Sequence, residues 1–266
     1  MTRAFGLIVV GDEILSGKRL DKHMPKVIEL LAARGLQLGW AEYVGDVPTR
    51  ITAALTRAFA SGDIVFSTGG IGATPDDHTR QCAAKALRRS LVLHPEAEVL
   101  IRERMQDTAR EQGVAYEPDR PDNVHRLNMG VFPEGAEIIR NPYNKIPGFS
   151  VDHVHFVPGF PVMAWPMIES VLDSRYAELF SQGQSSEKSV IVFGAMEATL
   201  TPLMEAIEAT YAGVKVFSLP SVDHPEYGRH IELGVKGAPA LLDAAYAQLI
   251  AGLHTFNARL GPELVR

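Results

Sequence analysis

Cysteine is nearly missing from this chain: Cys82 stands alone among 266 residues. A single thiol excludes an internal disulfide framework, and without a CxxC pair or a Cys/His cluster there is no structural zinc site to consider. Long apolar runs are missing too. No segment nears the ~20 apolar residues that a membrane-spanning helix requires, and the N-terminal FGLIVV stops at GDE, too early for the apolar core of a secretory leader. Basic charge is not in excess: 26 Lys and Arg face 32 Asp and Glu, a net charge of −6. The basic residues are scattered apart from ALRRS, so neither a nucleic-acid groove nor a polybasic membrane patch can be read. The expectation is a cytoplasmic protein with a small-molecule partner, no nucleic acid and no membrane. Several catalytic signatures are also lacking. There is no GxxxxGK[ST] phosphate loop, the dinucleotide spacing GxGxxG fails at Pro75, and no GxSxG elbow marks a serine hydrolase.

What is present is an ordinary globular composition, 46% apolar and 22% charged, patterned as alternating strands and helices. Residues 4–10 read as a buried strand, followed by the loop GDEILSGKRLD. A helix is expected over 21–34, with Met24, Val27, Ile28 and Leu31 at helical spacing and Gly35 at its C-cap. A strand over 36–44, a helix over 46–62 with Ile51, Leu55 and Phe59 four apart, and a strand over 64–66 follow. Thr74 is read as the cap of the next helix, with Pro75 in its first turn. This rhythm predicts a mostly parallel sheet covered on both faces.

The middle is less regular, with a helical stretch at 96–110, a loop holding YEPDRPDN, strands around AEIIR and HVHFVPG, and a helix over 162–180. SQGQSSEK at 181–188 reads as a linker. Beyond it SVIVFGA, a helix over 199–212 opened by Thr201 and Pro202, VKVFSLP, RHIELGV and a helix over 238–253 form a small βαββα unit. The domains expected are 1–180 and 189–266.

The chemistry concentrates in DIVFSTGGIGATPDDHTR, residues 63–80. A strand ending in Gly69, Gly70 and Gly72 ahead of a helix offers unhindered backbone N–H groups where phosphate binds in α/β sheets. The same glycines would also serve a plain tight turn. Asp76 and Asp77 follow in the expected first helical turn, where the helix dipole alone could account for them. If the loop receives a phosphate, the two carboxylates repel it unless a cation lies between, and Mg2+ is typically held by one or two carboxylates plus substrate oxygens. Asp12 and Glu13 follow the first strand and Asp46 the second, so these loops converge on the carboxyl edge of the sheet. Taken singly, the first pair could be a polar turn and Asp46 a helix N-cap. VPGFP, residues 157–161, again follows a strand and is a stiff turn, echoed by KIPGF. His153 and His155 suggest an edge-strand pair rather than a zinc site, and Cys82 a packed helical residue.

In order and spacing, GDEILSG, VGDVPTRI, STGGIGATPDDHTR and FVPGFPVMAWPM resemble the molybdopterin-binding-like domain of the competence/damage-inducible CinA proteins, related to MogA/MoaB and gephyrin-type cofactor-assembly domains. The resemblance covers about residues 4–172, and residues 189–254 look like the small α+β domain that accompanies it. No room is expected for the amidase domain of full-length CinA. The resemblance implies a three-layer α/β/α sandwich with a small α+β C-terminal domain. It also implies a site that handles a pterin phosphate, or hydrolyses a nucleotide pyrophosphate such as ADP-ribose or FAD with a divalent cation (Mg2+, Mn2+ or Co2+). Gly69, Gly70 and Gly72 would then cradle phosphate, with Gly11, Thr68, Thr74, Pro158, Gly159 and Pro161 around the ligand. Asp76 and Asp77 would aim a water or hold metal, and Asp12, Glu13 and Asp46 would complete the metal edge. A molybdopterin-binding protein without hydrolysis is the alternative, and a homo-oligomer is expected in either case. The chain departs from the family at Ala73, where proline is usual, at Asp21 and His23, where Asn is usual, and at Asn144 and Lys145.

Overall fold

The computed structural model of the chain describes residues 3–180, 186–256 and 258–265. They fall into two compact units, one up to Phe180 and one from Ser181.

The first unit is built on a six-stranded sheet. Its strands are β1 (Phe5–Val10), β2 (Leu38–Val44), β3 (Ile64–Thr68), β6 (Glu137–Ile139), β7 (Gly148–Val151) and β8 (Val154–Val157), in the order β2-β1-β3-β8-β7-β6. The first four in that order are parallel; β7 runs antiparallel to β8, and β6, antiparallel to β7, closes that side. Alternation of side chains across the strands divides the core into two layers. Leu7, Val9 and Phe66 pack with Val27 and Leu31 of α2 (His23–Ala32) and with Ile168 and Leu172 of α7 (Pro161–Arg175). Ile8, Val10 and Val65 pack with Ile51 and Leu55 of α3 (Pro48–Ser61) and with Cys82 and Ala83 of α4 (Thr79–Leu87). The result is a three-layer α/β/α sandwich. A stack of Phe132, Phe149 and Phe156, with centroids 4.5 and 4.4 Å apart, fills the second layer.

Several boundaries differ from the expectation. GDEIL is not all loop, since Asp12–Leu15 forms a short helix, α1. The helix after the glycine loop begins at Thr79 rather than at Thr74, so Thr74 caps nothing and Asp76 and Asp77 lie in the turn before it. The reason is local: Asp77 Oδ2 accepts from Thr74 N and Oγ1, at 2.8 and 2.5 Å, and closes a turn that has the composition of a helix start. Between α4 and β6 the chain forms β4 (Leu91–Leu93), α5 (Pro95–Glu111), α6 (Pro121–Arg126), a 3-10 turn at Leu127–Gly130 and β5 (Val131–Pro133), with β4 and β5 a separate antiparallel pair. The strand carrying His155 is interior, between β3 and β7, not an edge, and His153 lies outside it.

The second unit is a four-stranded antiparallel sheet of β9 (Ser186–Phe193), β10 (Lys215–His224), β11 (Gly228–Gly237) and β12 (Arg259–Val265), ordered β10-β11-β9-β12. Helices α8 (Glu197–Thr210) and α9 (Pro239–Thr255) cover it, with Leu200 of α8 and Leu249 of α9 in one core with Val190, Leu233 and Val235. Of the expected linker, 181–185 lie outside the described residues and 186–188 are already paired with 235–237 of β11. Pro202 sits inside α8 rather than at its start, and β12 adds a strand to the expected βαββα order.

Candidate functional site

Parallel pairing fixes where the loops emerge. Val10 stands opposite Val44, Val9 opposite Thr68, and Thr68 opposite Val157, so β2, β1, β3 and β8 end on one rim. The loops after these four strands line a cavity of about 660 Å3. Of the sequence-derived candidates, Gly11, Glu13, Asp46, Gly69, Gly70, Gly72, Thr74, Asp76, Asp77, Pro158 and Gly159 line it. Three candidates do not. Asp12 is exposed beside it, Thr68 is buried at 1% exposure with its hydroxyl unpartnered, and Pro161 opens α7 behind the turn.

The glycine loop is shaped by crowding. Gly69 has φ +94° and a side chain there would run into the Val10 carbonyl; Gly70 has φ +69° and lies against Thr79. Both positions therefore require glycine for packing alone. The loop nevertheless also presents donors. Among the described residues, the N–H groups of Gly70, Ile71, Gly72 and Ala73 meet no protein acceptor, whereas Gly69 N–H is taken by Val157 O at 3.1 Å. All four residues line the cavity.

The same cavity carries an acidic edge. Asp12 N donates to Asp46 Oδ2 at 2.9 Å and Asp46 N to Asp12 Oδ1 at 3.2 Å, a reciprocal pair that locks two loops together. Burial raises the Asp46 pKa from its ordinary value; the Asp12 N–H opposes this, and Asp12, Glu13 and Asp76 push it further up by repulsion. Asp76 is fully exposed and is held below the usual carboxylate range by the Thr74 hydroxyl, which it shares with Asp77, and by its own N–H. Among the described residues no group of three or more His, Cys, Asp or Glu is placed to hold a metal ion by protein ligands alone.

Lys18 and Arg19 also line the cavity and escaped the sequence reading. Their backbone is pinned, since Gly17 N donates to Ile14 O at 3.1 Å and Arg19 N to Glu13 O at 3.0 Å. The signal was a basic pair in the same loop as Asp12 and Glu13. His23, 5% exposed, places Nε2 at 3.0 Å from Gly159 O and so ties α2 to the PGFP turn, with Nδ1 buried and unpartnered. His155 is no metal ligand: it lies between Ser150 Oγ and Tyr176 OH, 2.7 Å from each, and burial lowers its pKa to about 3.

The model of a family described as a probable molybdopterin binding domain matches residues 6–178. The chain belongs to this family. It is 29% identical over 255 residues to a CinA-like protein of Desulfosudis oleivorans, covering 92% of this chain and 57% of that one. A CinA-like protein of Gloeobacter violaceus is 29% identical over 266 residues, with 95% and 59% covered. The chain thus spans less than two thirds of the length of these relatives. The crystal structure of the protein CinA of unknown function from Thermoplasma acidophilum superimposes with a TM-score of 0.54 at 25% identity, over 64% of this chain and 98% of that one. The resemblance carried by the four loop motifs is therefore one of family as well as of fold.

Proposed function

We propose that the rim cavity binds a nucleotide or pterin phosphate and, with a divalent cation, hydrolyses a phosphoanhydride of the ADP-ribose or FAD type. One observation carries this reading: residues whose backbone N–H groups have no protein acceptor line the same cavity as a concentration of carboxylates. Donors of that kind suit phosphoryl oxygens, and carboxylates beside a polyphosphate suit a bridging cation. The Asp46 carboxyl, pushed up by burial and by its acidic neighbours, marks where positive charge would be most welcome. Asp46, with Asp12 or Asp76, would hold the cation, and phosphate oxygens would supply the rest of its coordination. A bound cation would offset charge on the bridging oxygens and lower the pKa of a coordinated water.

The protein's own groups would do the remaining work. Gly70 to Ala73 would hold one phosphoryl group, Lys18 and Arg19 would receive the second, and Asp76 would orient the attacking water. A carboxylate held low on the pKa scale is a weak base, so its part is orientation more than deprotonation. The test is incubation with ADP-ribose, FAD and coenzyme A in the presence of Mg2+, Mn2+ or Co2+, with AMP release as the readout.

A second reading is molybdopterin binding without hydrolysis. It is favoured by the lack, among the described residues, of a three-ligand protein metal site and by the description of the matching family. Saturable pterin-phosphate binding with no AMP release from any nucleotide and cation pair would select it.

A further inference from the structure

Three of the four donors of the glycine loop, those of Gly70, Ile71 and Ala73, depend on what holds the carbonyls behind them. A trans peptide is planar, so its C=O and the following N–H point in opposite directions. Thr79 Oγ1 donates to Gly69 O at 3.1 Å, and Thr79 N donates to Gly70 O at 3.0 Å. Arg80 Nη2 donates to Gly72 O at 2.6 Å, while its Nη1 donates to Asn128 O at 2.6 Å and anchors the guanidinium to the 3-10 turn. His125 Nε2 lies 3.1 Å from Ala73 O and can serve it as donor. The loop's carbonyls are thus gathered by the first turn of α4 and by α6. Arg80, Asn128 and His125 line a second cavity, whose wall at Ala73, Thr74 and Asp77 is shared with the first.

We propose that Thr79 and Arg80 are positioning residues: by holding the carbonyls of Gly69, Gly70 and Gly72, they turn the N–H groups of Gly70, Ile71 and Ala73 into the rim cavity as preformed donors for a phosphoryl oxyanion. This rests on the phosphate reading above and adds the device that makes it work. The peptide between Gly69 and Gly70 is set by the Thr79 hydroxyl, that between Gly70 and Ile71 by the Thr79 N–H, and that between Gly72 and Ala73 by Arg80. The peptide between Ala73 and Thr74 is pinned at both ends, by His125 and by Asp77. Thr79 and Arg80 are buried, at 0% and 4% exposure, and Arg80 makes its two hydrogen bonds to carbonyls rather than to a carboxylate. A buried guanidinium retained for two carbonyls fits a task of fixing backbone direction. Preformed donors need no reorganisation when the anion arrives.

The test is titration of the full chain with inorganic pyrophosphate in the presence of Mg2+, followed by amide 1H–15N shifts. In the parent protein the signals of Gly70, Ile71 and Ala73 are expected to move together. Thr79→Val and Arg80→Met are each expected to weaken pyrophosphate binding at least about tenfold, with Thr79→Ser restoring it to within about twofold, because a donor to an anion is worth more than a neutral one. His125→Ala releases only the peptide whose N–H is held by Asp77, so it is expected to bind pyrophosphate within about twofold of the parent; if Arg80→Met does not fold, Arg80→Lys, which keeps the charge but loses the planar fork, decides the matter, with about threefold weaker binding expected. Variants that melt earlier yet bind pyrophosphate like the parent would overturn the positioning role and leave the phosphate reading standing. Parent loop amides that do not respond to pyrophosphate would overturn both.

Discussion

Asp76 and Asp77 are neighbours in the chain with different surroundings, because Asp77 closes a turn on Thr74 while Asp76 is fully exposed at the cavity. Asp76→Asn is therefore expected to reduce AMP release about a hundredfold or more without moving the melting temperature, as for a group that acts on the reacting water. Asp77→Ala is expected to cost roughly 1 kcal/mol of stability through the lost turn, a shift of about 2–4 °C in a thermal melt. Equal turnover in Asp76→Asn and the parent would remove Asp76 from the chemistry. Asp46 makes a pH prediction. Its carboxyl is raised above the ordinary value of 3.8, so it takes up a proton in the fold before it does in the unfolded chain. Its contribution thus favours the fold in acid and is lost as pH rises through the raised value. Asp46→Asn, which keeps an oxygen for the Asp12 N–H, is expected to melt higher than the parent near neutral pH and to lose that advantage toward pH 3. A gap that stays constant across thermal scans at these pH values would contradict this. At this scale the sequence was legible where chemistry is unusual in composition, as in the glycines and paired acids. It was illegible for Arg80 and His125, whose partners are backbone carbonyls that no side-chain pattern encodes.

Elements were readable where hydrophobic period and turn residues agreed, as for α2, α3 and the three parallel strands that carry the acidic and glycine loops. They were misread where two structures share one composition. Thr-Pro-Asp-Asp is a helix start by composition and a closed turn here, because α4 begins only where Thr79 N reaches Gly70 O. Strand β12, which the expected βαββα order lacks, contains Gly261 and Pro262. The pair is tolerated because β12 is an edge strand with a register shift between Leu260 and Glu263. The HxH pair looked like an edge feature, yet His155 joins β7, β8 and the end of α7 through Ser150 and Tyr176. Because burial lowers its pKa from 6.5 to about 3, the unfolded chain binds the proton more strongly. Stability from this group is present above about pH 6.5 and is lost as pH falls toward 3, by at most about 1.4 kcal/mol per pH unit. His155→Gln is expected to flatten that part of the denaturant-derived stability profile; an unchanged slope would mean the network is not what titrates.

At the scale of the molecule, every cavity residue discussed above lies in the unit that ends at Phe180, and each unit has its own apolar core. A chain ending at Phe180 is expected to keep pyrophosphate binding, measured by calorimetry; loss of binding with the truncated unit still folded would place part of the site in the remainder. The parallel sheet was legible because its order brings sequence-distant loops to one rim, and that rim carries the functional reading. The most direct measurement is paramagnetic broadening of amide signals by Mn2+ with pyrophosphate present. Broadening confined to the loops around residues 11–13, 46 and 69–76 is the expected result. Broadening elsewhere, or none at saturating pyrophosphate, would contradict a cation held between the acidic edge and the bound phosphate.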